Sequence, residues 1–290
     1  MNEFVIDKKM MRRSFSRAAA DYDATAVLQR EVCTRMLERL DYIKLQPVQL
    51  LDAGSGTGWG GRKLAEKYPA ATVISLDIAI GMLQNAQSRS SWWQKLFGGV
   101  RQLPVCADVE ALPLASGSVE MVWSNLAVQW CNDLPATFVE LQRVLKTEGL
   151  LMFSTFGPDT LKELRRAFKD VDEHSHLNRF ADMHDIGDML VQAGFAEPVM
   201  DMEYMTLTYD DVRGVLQDLK SIGAHNATAG RGQGLMGKNA WARLLENYEK
   251  LRRDGKLPAT YEVIYGHAWK PQARASRDGS AIIKTSFKIK

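Results

Sequence analysis

Three aspartates and one run of glycines have the residue types and spacing to do chemistry together. Asp52 ends the apolar run at Leu50 and Leu51, and Gly54, Gly56 and Gly58 follow at alternate positions in LLDAGSGTGWGG. Alternate glycines let the backbone turn tightly and approach a ligand closely. The phosphate fingerprint G-x-G-x-x-G would need glycine at 59, where Trp59 stands, so a pyrophosphate ligand is disfavoured. A carboxylate at Asp52 would also repel an anion and suits a cationic ligand better. Asp77 ends a second apolar run 25 residues later, close to the spacing of roughly 20 at which an acid accepts both hydrogen bonds of a ribose diol. Asp108, followed by Val109 and Glu110, is placed to accept from an adenine amino group while apolar neighbours sandwich the ring. Met82 offers a soft, adaptable surface to the same ring or ribose.

These acids must be positioned by the elements that end in them. From Val48 the chain alternates strand and helix, the pattern that builds a parallel sheet. Strands are expected at 48–52, 71–77, 101–107, 119–124, 150–156, within 198–209, and at 262–269. Helices are expected after the glycine turn, at 80–88, at 134–145 stopped by Gly149, and at 182–193 ending at Gly194. Open parallel sheets bind ligands at the carboxyl ends of their strands, where Asp52, Asp77 and Asp108 all fall. Asn125 ends the strand at 119–124, with Gln129 and Trp130 behind it, in a loop that faces the ligand in such a sheet. An asparagine there serves equally as a turn residue or a ligand contact.

The organisation expected is an N-terminal helical cap over 1–46, a binding core over 47–208, a helical insertion over 209–258, a last core strand over 259–270 and a loose tail over 271–290. In the cap, 7–20 and 24–40 read as helices, the second with Val27, Leu28, Val32, Met36, Leu37 and Leu40 at helical spacing. Phe15 and Tyr22 are either core aromatics or the side chains that close over a bound cofactor. The insertion holds two helical patterns around the glycine-rich AHNATAGRGQGLMG and is long enough to act as a substrate lid.

Composition excludes several classes. The 290 residues are 46% hydrophobic, enough for a sizeable core, and the net charge of +2 is too small to argue for nucleic acid. Cys33, Cys106 and Cys131 are scattered without metal-ligand spacing, so no metal is expected and a reduced cytoplasmic compartment fits best. The first residues lack the apolar core of a signal peptide, and no run of about 18 apolar residues offers a membrane span.

The pattern D-x-G-x-G-x-G with acids at 77 and 108 resembles class I S-adenosylmethionine (SAM) methyltransferases. The likeness goes further. RRSFSRAAADYD (12–23), ADVEALPLASGSVEMVWSNLAVQWC (107–131), STFGPDTLKELR (154–165), NRFADMHDIGDMLVQAGFAEPVMD (178–201), LTYDDVRGVLQDLKSIGAHNATAGR (207–231) and LPATYEVIYGHAW (257–269) resemble the malonyl-acyl-carrier-protein O-methyltransferases of biotin synthesis. DMHDIGD, GAHNA and EVIYGHAW are much more specific than the glycine turn. One departure is DIAIGML, where the family often has proline before the methionine.

The resemblance implies a Rossmann-like α/β fold with a mostly parallel seven-stranded sheet, flanking helices and a helical lid. It implies methyl transfer from SAM, leaving S-adenosyl-L-homocysteine, to the free carboxylate of malonyl-acyl carrier protein or malonyl-CoA. The SAM-binding residues it implies are Phe15, Tyr22, Asp52, Gly54, Gly56, Gly58, Asp77, Met82, Asp108, Val109, Asn125 and Gln129. A malonyl carboxylate is already ionised at neutral pH, with acid pKa values near ~4, so no general base is expected. The carboxylate still needs a donor: Arg179 comes first, with His184, His225, Asn226 and His267 as further candidates. Carrier proteins are acidic, so Arg12, Arg13 and Arg17, or Lys162, Arg165, Arg166 and Lys169, are candidate docking residues. Two rival readings are methylation of another small molecule, such as a quinone precursor or free acid, and a non-catalytic protein using the same fold for assembly. NLAVQW stands where a nucleic-acid methylase would carry N-P-P-Y or D-P-P-Y, so no nucleic-acid or membrane partner is expected.

Overall fold

The computed structural model describes residues 5–89, 102–169, 171, 177–221 and 236–272. Its centre is a seven-stranded sheet built from β1 (Gln49–Ala53), β2 (Thr72–Asp77), β3 (Gln102–Cys106), β4 (Val119–Asn125), β5 (Leu145–Phe156), β6 (Ala196–Tyr209) and β7 (Leu257–Trp269), in the order β3-β2-β1-β4-β5-β7-β6. The β1–β2, β2–β3, β1–β4 and β4–β5 pairs are parallel, and β7 runs antiparallel to both β5 and β6. The central strands read as near-continuous apolar runs because helices cover both faces. Alternate residues supply two cores. Leu50, Met121, Trp123, Leu150 and Met152 face one cluster, while Leu51, Ala53, Val122, Leu151 and Phe153 face the other.

Ten helices surround the sheet among the described residues: α1 (Lys8–Ala18), α2 (Tyr22–Thr25), α3 (Val27–Arg39), α4 (Trp59–Lys67), α5 (Ile80–Arg89), α6 (Leu134–Val144), α7 (Lys162–Phe168), α8 (Met183–Gln192), α9 (Val212–Ser221) and α10 (Lys238–Glu249). The chain order reverses between β1 and β4, and the carboxyl ends of the strands form a crevice there.

Several boundaries differ from the sequence expectation. The helix expected over 24–40 breaks at Ala26, whose ψ of 49° leaves the helical region, and splits into α2 and α3. The helix expected to run to 145 ends at Val144. Strand β5 begins at once, so Gly149 lies inside a strand, where a Cβ would meet the Lys146 carbonyl at 2.7 Å. The last strand starts at Leu257, earlier than the 262 or 259 expected, because 257–262 continue the pairing with β6. In the insertion, Val212, Val215, Leu219, Leu244 and Tyr248 are buried in the same cluster as the sheet, so its described helices form part of the core layer. Residues 222–235, which hold most of the glycine-rich stretch between them, and the tail beyond 272 lie outside the described residues.

Candidate functional site

The glycine turn and Asp77 form one unit. Gly54 takes φ +83°, and a Cβ there would fall 2.2 Å from the Cβ of Ala127, so only glycine lets β1 leave its strand under the β4 loop. The backbone amide of Gly56 donates to Asp77 Oδ2 at 2.9 Å and that of Ala79 to Oδ1 at 2.7 Å. A carboxylate has about four acceptor positions, so two remain for a ligand diol. Burial pushes Asp77 up to about 6, against the pull of the two amides.

Asp52 lies beneath this turn. It is 2% exposed, and its Oδ2 has no hydrogen-bond partner among the described residues. A Cβ on Gly61 would stand 3.1 Å from that oxygen and 3.2 Å from Ser75 Oγ, so the first turn of α4 sits directly on the carboxylate. Ser75 Oγ and Trp123 Nε1 beside it are likewise unpartnered. Burial, with Asp77 nearby, pushes Asp52 up to about 7.

A cavity opens at the crevice, lined by Gly54, Gly56, Asp77, Ile78, Met82, Asp108, Val109, Asn125, Leu126, Ala127, Gln129, Trp130, Cys131 and Phe156, with Lys8, Met11, Phe15, Tyr22 and Gln29 from the N-terminal helices. Phe15, Tyr22, Gly54, Gly56, Asp77, Met82, Asp108, Val109, Asn125 and Gln129, named from sequence, thus line one cavity. Asp52 and Gly58 do not line the cavity. Gly58 sits at φ +74° as the N-cap of α4, and Asp52 supports the turn from below. The expectation that Asp52 faces a cationic ligand directly is therefore corrected, because α4 lies over it.

Helix α1 covers the cavity. Lys8 Nζ lies 3.0 Å from Asp108 Oδ1 and 2.7 Å from Glu110 Oε2, and Asn132 makes two hydrogen bonds to the backbone of Ile6. Burial works against the Lys8 charge, and Glu110, Cys131 and Asp108 outweigh it, so its pKa is raised. Phe15 meets Trp130 edge-on at 5.2 Å, and Met82 packs with Ala19, Phe15 and Tyr22. Gly81 permits this approach: a Cβ there would stand 2.8 Å from the Ser16 carbonyl. Lys8, Met11, Gln29, Leu126, Trp130 and Phe156 were not assigned from sequence.

The β4 loop is held in a demanding conformation. Leu126 adopts φ +49°, uncommon for a residue with a side chain. Its amide donates to the backbone carbonyl and hydroxyl of Ser154 at 3.1 and 3.0 Å. Asn125 accepts from Ser154 Oγ and donates to the Gln29 carbonyl, linking α3 to the loop. Gln129 donates to the Leu126 carbonyl, while its buried Oε1 has no partner among the described residues.

A methyltransferase-domain family matches residues 51–153, which span β1 through most of β5. Among solved structures, the YcgJ protein of Bacillus subtilis superposes with a TM-score of 0.58 at 15% identity, covering 82% of this chain and 98% of that one. At that identity the likeness shows the fold alone. A malonyl-[acyl-carrier protein] O-methyltransferase of Gallionella capsiferriformans (strain ES-2) is 88% identical over the whole of both chains. The chain belongs to the malonyl-[acyl-carrier protein] O-methyltransferase family. A relative of the same name from Nitrosospira multiformis (strain ATCC 25196 / NCIMB 11849 / C 71) is 60% identical over 93% of this chain and 92% of its own length.

Membership in the malonyl-[acyl-carrier protein] O-methyltransferase family directs attention to the acceptor residues, and here the structure separates the candidates. His184 is 86% exposed at its side chain and bonds Asp182 at the start of α8, away from the cavity. His267 pairs with Met152 and Val199 within the sheet, where burial lowers its pKa; it does not line the cavity either. Neither histidine lines the cavity: the ring of His184 bonds the capping residue Asp182, and His267 packs in a strand. Arg179 is exposed and does not line the cavity either; its chain neighbour Phe180 meets the cavity-lining Phe156 with ring centroids 5.7 Å apart. His225 and Asn226 lie outside the described residues. Arg12, Arg13 and Arg17 are exposed on α1, and Lys162, Arg165, Arg166 and Lys169 are exposed on or beside α7. Among the described residues no cluster of His, Cys, Asp and Glu could hold a metal, and no helix is long and apolar enough to cross a membrane.

Proposed function

We propose that this chain methylates the free carboxylate of a malonyl group carried on acyl carrier protein, with SAM as donor. The observation that carries the acceptor is the full-length relationship, at 88% identity, to a curated malonyl-[acyl-carrier protein] O-methyltransferase. The cavity supports the donor. Asp77 keeps two acceptor positions for the ribose hydroxyls, Asp108 keeps an oxygen beyond its bond to Lys8 for the adenine amino group, and Met82, Ile78 and Val109 supply apolar surface for the ring. Gln129 Oε1, buried and unpartnered, fits the amino group of the methionine portion.

SAM supplies an electrophilic methyl group on a sulfonium centre, and the acceptor carboxylate arrives already ionised. The residues of this chain therefore have no proton to remove at the reacting oxygen. Their work is to bind, align and keep water out, which aligned intramolecular reactions show to be a large part of a rate enhancement. Met11, Phe15, Trp130 and Phe156 supply the dry walls. Arg179 is the proposed partner of the malonyl carboxylate.

The test offers SAM with malonyl-carrier protein, malonyl-CoA and free malonate, and reads the acceptor mass. A gain of one methyl on the malonyl-carrier protein is expected, at a rate flat across neutral pH. No gain on any malonyl acceptor would overturn the reading. Arg179→Ala is expected to raise the acceptor KM at least about tenfold, the loss typical of a charge-assisted bond. An unchanged KM would remove Arg179 from this role.

A further inference from the structure

A second concavity lies at the same end of the sheet, outside the cavity. Strands β6 and β7 continue past the end of β5: Phe156, which lines the cavity, pairs with Val263, and the pairing of β6 with β7 runs on to Leu257. Thr260 and Thr206 face each other three positions beyond Val263, about 10 Å farther along the strands at the usual rise per residue. Together with Thr208 they floor a groove of about 630 Å³ between α7 and the turn that leads into β7.

Its walls are cationic. Lys162 and Arg166 rise from α7, and Arg253 and Lys256 from the turn. Arg253 and Lys256 exchange both backbone hydrogen bonds at 2.9 Å around Asp254 and Gly255, both at positive φ, the two-residue Asp-Gly hairpin. Such a turn sets the two flanking side chains beside each other. Like charges directly opposite are unfavourable, and Asp210 answers only Lys256. Arg253 and Arg166 have no ion-pair partner among the described residues, and both are exposed. Among the described residues two acids line the groove: Glu163 is committed to the amide and hydroxyl of Thr260, and Asp254 is exposed in the hairpin next to Arg253. Lys162 is held over the Tyr204 ring at 4.6 Å. The groove therefore presents two guanidinium groups without an ion-pair partner among the described residues and, with the Thr260 hydroxyl spent on Glu163, the hydroxyls of Thr206 and Thr208, a donor set that suits a phosphate ester.

We propose that this groove docks the acidic carrier protein, with Arg166 and Arg253 receiving the phosphodiester at the root of its prosthetic arm, so that the arm runs along the strand ends past Phe156 into the cavity. This rests on the reading above, and it chooses the α7 and hairpin face over α1 as the dock. Arg12, Arg13 and Arg17 of α1 are exposed too but line neither concavity, whereas Arg166 and Arg253 line this groove, which lies at the same strand ends as the cavity.

The experiment compares wild type with the Arg166→Glu/Arg253→Glu double variant in direct binding to malonyl-loaded carrier at low and raised salt. It then compares kcat/KM on that carrier with kcat/KM on a malonyl thioester lacking phosphate. The variant is expected to bind the carrier at least about tenfold more weakly and to lose most of the salt dependence, as charge removal at a docking rim does. The ratio of the two kcat/KM values should fall by a similar factor through KM. Unchanged carrier binding would overturn the proposal, as would an equal loss on the phosphate-free thioester. An equal loss on malonyl-CoA would also overturn it, because the groove would then serve small phosphates. So would the same loss from Arg12→Glu/Arg13→Glu with none from the groove variant. Failure of the wild type to methylate any malonyl thioester would instead fault the reaction assigned above, which the binding measurement does not depend on.

Discussion

Asp52 and Asp77 stand two residues apart in register under one glycine turn, and burial has pushed both acids up, to about 7 and about 6. Between an unfolded value near ~4 and these folded values, the folded chain holds protons that the unfolded chain has released. Each site therefore costs stability as pH rises through that window, about 1.4 kcal/mol per pH unit. Asp52 has the fewer compensating bonds, so Asp52→Asn should gain stability relative to wild type between about pH 4 and about pH 7 and level off above. Denaturant unfolding at several pH values reads this directly, and a parallel pair of curves would contradict it. Asp77 accepts two amides that shape the turn. Asp77→Ala should weaken SAM binding at least about tenfold by calorimetry, since bonds to a charged group are worth about 1.5–3 kcal/mol.

At the scale of elements, the site depends on how closely α1 approaches α5. Gly81→Val would drive a side chain into the backbone of Ser16 and lift the helix that carries Lys8, Met11 and Phe15. We expect a several-fold higher KM for SAM with the fold intact by circular dichroism, and an unchanged KM would show that α1 is not the cover. The strands and their acids were legible in sequence because a strand end, a glycine turn and an acid are local features. The α1 cover was not, because Lys8 reads as one more charge on a basic helix until Asp108, 100 residues away, is placed beside it. The break at Ala26 was invisible for a related reason: the apolar spacing continues across it while the backbone does not. Asp52 was misread because sequence places it at the correct strand end without saying that α4 lies over its carboxylate.

At the scale of the molecule, the order β3-β2-β1-β4-β5-β7-β6 puts two different surfaces at one end of one sheet. The crevice between β1 and β4 gathers the acids and apolar walls that fit a nucleoside donor. The extension of β6 and β7 past β5 builds the cationic groove. The acceptor was legible only through whole-chain resemblance, since Arg179, His184 and His267 have residue types suited to a carboxylate but none of the three lines the cavity, and only Arg179 has a chain neighbour, Phe180, in contact with its wall. The groove was half legible: Lys162 and Arg166 were singled out as docking residues, but Arg253 and Lys256 join them only through the hairpin at Asp254 and Gly255. The most direct test of the whole account follows an isotopically labelled methyl group from SAM to malonyl-carrier protein and locates it by fragmentation mass spectrometry. The account predicts the label in the methyl ester of the terminal carboxylate. Label on the malonyl carbon, on the carrier polypeptide or nowhere on the acceptor would contradict it.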